Sequence, residues 1–357
     1  MMSNDISLKN YKIKVFDKAL VLAKREKPKM SLADNTYFPI VLMRNITTKI
    51  KGNNRLKNSF PRAFLLNGLL DYALSTNSEI NNVESIIKKF ADDVINNSNE
   101  LKYIDQVSMG MAALKLYEKT NNSIYKNLCD EILTYIFNNV DKQYDIVLYR
   151  KNKDYHYVDV LGMICPFILM YGNIFKRYDL IEFSNHQIEF YINNGLSISG
   201  LPYHSIELKN STPMGSSNWG RGLGWYMLAL SATLKYTNDE NNNKYSFFKE
   251  KMDLLVSNLE NFKQDHYWGQ FLGLSKKWHS DTSVSCMIIY SILLSGHSID
   301  FRDFYQFIVP LTKKNGAVDF TSGDTEDINY YSREFGESEL TQGLLLSIFK
   351  IENDIIL

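Results

Sequence analysis

The chain is 357 residues long, its 40 Lys and Arg are balanced by 40 Asp and Glu, and 45% of it is hydrophobic. That mix excludes a disordered or collagen-like chain, and zero net charge argues against a general nucleic-acid binder, which needs a basic surplus to neutralise phosphates. Three scattered cysteines, Cys129, Cys165 and Cys286, form neither a disulfide framework nor a CxxC metal pair and read as buried, reduced thiols.

The first twenty residues hold no apolar core of signal-peptide length. No window reaches about 18 uninterrupted apolar residues, so no membrane span is expected and the chain is read as cytoplasmic. No Pro/Gly/Ser-rich linker divides it, and residues 1–357 read as one domain. Apolar periodicity predicts helices over 9–26, 61–76, 82–97, 106–119, 123–139, 159–176, 179–193, 222–236, 244–262, 281–295, 299–313 and 338–351. A small strand is expected near 146–149. Short and long links alternate between the helices, which suggests six helical hairpins. An all-α (α/α)6 toroid closes such hairpins without exposed ends, and an open solenoid is the plainer alternative. The long polar-aromatic links at 141–158, 194–221, 263–280 and 314–337 exceed plain connectors and are candidate functional loops.

Several segments carry candidate chemistry. Asp105, in KYIDQVSMGMAALKLYEKT, and Asp159, in YHYVDVLGMICPFILMYG, each precede or open an apolar helix. Helix capping explains either one. A carboxyl in an aromatic pocket would instead have its pKa raised, as a proton donor requires, and two carboxyls facing one cavity would split into acid and base. His204 lies in the loop GLPYHSIE. His156, His266 and His279 also fall in aromatic loops, and none of the four forms a metal-binding pattern. The segment SNWGRGLGWYMLAL alternates Gly220, Gly222 and Gly224 with Trp219, Arg221 and Trp225. It matches no phosphate-loop spacing. Its glycines would let a ligand approach the backbone, Arg221 could pair with a carboxylate, and the two tryptophans offer flat faces for a sugar. A tight helix start with tryptophan packing is the structural alternative. Asp281–Tyr290 reads as a capped helix start with small-residue packing.

In this order the motifs resemble those of the unsaturated glucuronyl and rhamnogalacturonyl hydrolases, glycoside hydrolase families 88 and 105. The resemblance rests on Trp219-Gly220-Arg221-Gly222-Leu223-Gly224-Trp225, on Asp159–Leu169 with Pro166 and Phe167, on Asp105 with Leu116–Thr120, on Tyr203-His204, on Thr282–Met287 and on Glu339–Leu346. Leu223 stands where those families commonly carry a polar residue. The resemblance implies an (α/α)6 barrel that removes a 4,5-unsaturated uronic acid from an acidic oligosaccharide by hydrating its double bond, without metal or organic cofactor. Asp159 would be the general acid and base, and Asp105 would tune it. His204, Arg221, Trp219 and Trp225 would hold substrate. Another carbohydrate enzyme on the same toroid, such as an inverting glycosidase or an epimerase, is the nearest alternative. A silent acidic-glycan-binding protein or a plain helical scaffold comes after it. The oligomeric state is not legible.

Overall fold

The computed structural model describes residues 2–25 and 58–356, apart from 77, 79, 98, 99, 152, 264–266, 274–279 and 326. His266 and His279 therefore lie outside the described residues. Twelve α-helices occur among the described residues. The odd-numbered ones are α1 (Met2–Ala23), α3 (Asn81–Asn96), α5 (Ser123–Phe137), α7 (Tyr178–Asn194), α9 (Tyr245–Asn258) and α11 (Phe301–Ile308). The even-numbered ones are α2 (Phe60–Thr76), α4 (Met109–Thr120), α6 (Val158–Phe175), α8 (Gly220–Tyr236), α10 (Thr282–Leu294) and α12 (Glu339–Ile356).

The even helices form a ring. Each packs against the next in sequence, and α12 packs back against α2, so the series closes. The odd helices lie outside it: α1 on α12 and α2, α7 on α6, α9 on α8. The fold is the (α/α)6 toroid. Residue pattern sorts the two layers. Outer α3 buries one stripe, Val83, Ile87, Phe90, Ala91 and Val94, at helical spacing. Inner α10 is buried from Thr282 to Leu293 without a break. Inner α6 has a mean hydropathy of 1.7 over its 18 residues, which by length and composition would cross a membrane, yet 78% of it is buried within the protein. An apolar surface on every side is what an inner-ring helix needs.

The ring closes through glycine. A Cβ on Gly68 would stand 2.0 Å from the Gly343 carbonyl oxygen, and one on Gly343 would stand 2.2 Å from that of Phe64. Only residues without side chains let α2 and α12 touch backbone to backbone. At the same junction buried Arg62 meets Glu339 at 2.6 Å and donates to the carbonyls of Ala23 and Arg25, so it caps the end of α1.

Helix α4 begins three residues later than the periodicity suggests. The Gln106 side chain accepts from Lys102 N (2.8 Å) and Tyr103 N (3.2 Å), which holds Ile104–Gln106 as a 3-10 turn. The end of the predicted 244–262 helix likewise tightens into a 3-10 turn over Leu259–Phe262, where Trp268 Nε1 donates to Leu259 O. Helix α11 stops at Ile308 rather than running to 313; the Thr312 hydroxyl donates to the Ile308 carbonyl there.

Every long link precedes an inner helix, so the links gather over the N-terminal ends of the ring. They carry short antiparallel strands: β1 (Val140–Asp141) with β2 (Ile146–Val147), β3 (Tyr155–Tyr157) with β4 (Ser205–Glu207) and β5 (Thr212–Met214), and β6 (Thr321–Ser322) with β7 (Phe335–Gly336).

Candidate active site

An open cleft lies among these links, lined by Tyr149, Arg150, Tyr157, Asp159, His204, Thr325 and Asp327. Strand β3 runs directly into α6, so Asp159 is the second residue of the helix. The N-cap is Tyr157, and its side chain makes no cap bond. Asp159 is therefore not the N-cap residue; its carboxyl accepts from its own backbone N–H and from the Trp225 side chain. Asp281 is the contrast: fully buried at the start of α10, it accepts from Ser283 N at 2.8 Å, Val284 N at 3.4 Å and Ser283 Oγ at 2.6 Å. The expected capping role thus holds for one aspartate and fails for the other.

Pairing of β3 with β4 sets Tyr157 opposite Ser205, and Val158 N donates to His204 O at 3.0 Å. This tie brings His204 Nε2 to 3.7 Å from Asp159 Oδ2, too far for a hydrogen bond. The His204 ring packs on Trp219 at 4.5 Å between centroids, with Tyr157 and Tyr331 each at 5.6 Å.

Burial dominates the electrostatics. It pushes the Asp159 carboxyl up from 3.8 to about 7; the Arg221 charge pulls the other way, and nearby Asp105 adds to the rise. Burial also lifts Asp105 to about 6, against the pull of the Tyr149 hydroxyl, which donates to its Oδ1 at 2.7 Å. The Asp105 charge thus adds to the proton affinity of Asp159. Burial, helped by Arg221, lowers His204 to about 4, so its imidazole is neutral at pH 7. Four buried polar atoms around the cleft, Asp159 Oδ2, His204 Nδ1, Trp219 Nε1 and Arg221 Nε, have no hydrogen-bond partner among the described residues. Such a cluster is what a ligand site leaves behind. Among the described residues, no group of three or more His, Cys, Asp or Glu side chains is placed to hold a metal.

The structure places the residues singled out from sequence in two layers. Asp159 and His204 line the cleft. Asp105 stands behind Tyr149, bonded to it. Trp219 and Trp225 are both buried, Trp219 under His204 and Trp225 edge-on to Phe60 and Phe64 beside Gly162. Their faces are covered by protein, so the tryptophan-packing alternative describes them. Arg221 is also buried. It donates through Nη1 to Ser322 O at 3.3 Å and through Nη2 to Gly323 O, so its fork holds the loop after β6. Gly220, Gly222 and Gly224 sit in the first turns of α8, and side chains there would strike Gly269 O, the Trp219 ring and Met287. They serve close packing rather than approach of a ligand. The cleft residues absent from the sequence reading are Tyr149, Arg150, Thr325 and Asp327. The length and aromatic content of links 141–158 and 314–337 were their only signal.

Comparison with known proteins places this geometry. The profile of glycosyl hydrolase family 88 matches residues 40–307, about three quarters of the chain. The protein belongs to that family. The unsaturated rhamnogalacturonyl hydrolase YesR of Bacillus subtilis is 24% identical over 173 residues, which is 46% of this chain and only about half (49%) of that relative's length. Among solved structures, a possible member of the GH105 family from Klebsiella pneumoniae superposes with a TM-score of 0.74 at 14% identity, covering 99% of this chain and 94% of that one. The unsaturated glucuronyl hydrolase of Bacillus sp. GL1 gives 0.71 at 12% identity, with 95% of each chain covered. These likenesses establish the fold.

Proposed function

We propose that the protein is a hydrolase that removes a terminal 4,5-unsaturated uronic acid from an acidic oligosaccharide. The observation that carries this reading is the Asp159 carboxyl, held near neutrality in a cleft beside a neutral imidazole. Such a carboxyl is protonated often enough at working pH to donate, and acidic enough to do so. Family membership and the names of the similar proteins support the same substrate type.

The reacting group is a vinyl ether whose C5 bears a carboxylate. Protonated Asp159 gives its proton to C4, and the alkene electrons form that C–H bond. Positive charge develops on C5 and the ring oxygen. Water adds at C5 as the Asp159 carboxylate takes one of its protons, which regenerates the acid. The resulting hemiketal opens to a ketone, and the hemiacetal left at C1 releases the remaining sugar. Asp105 sits where its charge keeps the proton on Asp159, and Tyr149 fixes its orientation. Arg221 opposes this rise from below, which holds Asp159 near 7 rather than higher. Arg150 lines the cleft, is exposed and has no ion pair among the described residues, so it is the guanidinium free to take the substrate carboxylate.

Lyase-generated unsaturated disaccharides test this directly. The double-bond absorbance is lost in step with release of the second sugar, and turnover in D2O places deuterium on one face of C4. Cleavage of the saturated counterpart at a comparable rate would refute hydration.

A further inference from the structure

This inference rests on the reading above and asks which sugar stands next to the unsaturated uronate. The cleft is graded in depth. The side chains of His204 and Asp159 are 4% and 20% exposed, whereas those of Lys153 and Asp327 are 31% and 45% exposed. A terminal ring whose alkene meets Asp159 fills the deep end, and its neighbour passes the outer wall.

The outer wall is built from two links that meet across the cleft. Lys153 Nζ contacts Asp327 Oδ2 at 3.2 Å. Asp327 Oδ1 accepts from Ile328 N at 2.9 Å and from the Tyr157 hydroxyl at 3.4 Å. The Ile328 N–H, Lys153 and the Arg150 charge hold its pKa below the ordinary carboxylate value. Asp324, close by in the same link, is exposed and has no ion pair among the described residues. Among the described residues lining this cleft or bonded to its lining, Arg221 is on carbonyl oxygens under the floor and Lys153 is on Asp327, and the reading above gives Arg150 to the uronate carboxylate. A second anionic group on the substrate finds no further cation among the described lining residues and faces the Asp327 carboxylate. Hydroxyl groups, by contrast, are donors that an ionised carboxylate accepts from readily.

We propose that Asp327, anchored by Lys153 and Tyr157, is a specificity-determining residue that hydrogen-bonds the hydroxyls of a neutral sugar adjoining the unsaturated uronate and disfavours a neighbour bearing a sulfate or a second carboxylate.

The test compares kcat/KM across lyase-generated unsaturated disaccharides that share the uronate and differ in the neighbour: neutral hexose, neutral N-acetylhexosamine, and the same hexosamine carrying a sulfate. The neutral member of the matched hexosamine pair should be preferred by at least about tenfold, because like charges brought together at a binding surface disfavour the wrong partner strongly. The gap should narrow at high salt as the charges are screened. Asp327→Asn should close most of it, by raising the rate on the sulfated member and raising KM for the neutral one. A merely structural role would lower both rates together and leave their ratio unchanged. Equal or better turnover of the sulfated member by the wild type overturns this proposal alone. Absence of turnover on every unsaturated member overturns the underlying reading, and this one with it.

Discussion

Replacing Asp159 with Asn should abolish turnover and, at neutral pH, make the protein more stable. The folded state holds the Asp159 carboxyl at about 7, against 3.8 for the free side chain. Between pH 4 and 7 the folded protein therefore keeps a proton that the unfolded chain has released. Stability falls as pH rises through that window and levels off above the folded value. A rise from 3.8 to about 7 corresponds to a ceiling of about 4 kcal/mol at pH 8. For a chain of this length the unfolding entropy makes 1 kcal/mol worth roughly 1.3 °C, so the ceiling is a gain of roughly 5 °C in Tm. Asn has the carboxylic acid's shape and no charge to bury. Melting curves of wild type and Asp159→Asn at pH 4 and pH 8 decide the matter: near-equal midpoints at pH 4, and a higher midpoint for the variant at pH 8. A variant no more stable than wild type at pH 8 would show that burial does not strain this carboxyl.

Other consequences follow from the same contacts. In Tyr149→Phe, Asp105 loses the hydroxyl that draws its pKa down; it then carries less charge near neutrality and raises Asp159 less. The alkaline limb of the kcat profile should move to lower pH, and an unmoved limb would refute coupling of the two carboxyls. Arg150→Met should raise KM for an unsaturated uronide by roughly 10- to 100-fold with a smaller change in kcat, since a hydrogen bond to a charged group contributes about 1.5–3 kcal/mol; an unchanged KM would remove Arg150 from carboxylate binding. Arg62→Met removes the buried ion pair with Glu339 and the donors to Ala23 O and Arg25 O at the α2–α12 junction, which should cost about 1.5–3 kcal/mol in urea unfolding while activity per folded molecule persists.

Helical periodicity over twelve segments, with short and long links in alternation, was enough to read the toroid from the residues. It also pointed to the rim where the long links gather, and a cleft lies there. Asp159 was legible because an acidic residue interrupts aromatic and apolar neighbours at a helix start. Asp281 was read as a helix cap, and its bonds to Ser283 N and Val284 N agree; for Asp159 capping stayed open. Which of them caps depends on whether the helix begins one residue after the aspartate or one residue before it. Trp219 and Trp225 were misread as sugar platforms because a sequence does not state which ring face is covered; His204 covers one, and Phe60 and Phe64 pack the other. The outer wall was illegible for another reason. Tyr157 and Asp327 lie 170 positions apart and meet only because separate links fold over the same mouth.

The central claim is that Asp159 protonates the substrate alkene. Its most direct test is the rate at which Asp159→Asn consumes the double bond of an unsaturated disaccharide that the wild type turns over, with folding checked on the same sample. A folded variant whose turnover falls by at least about 10²-fold agrees with loss of the general acid. A folded variant that turns over at the wild-type rate contradicts it.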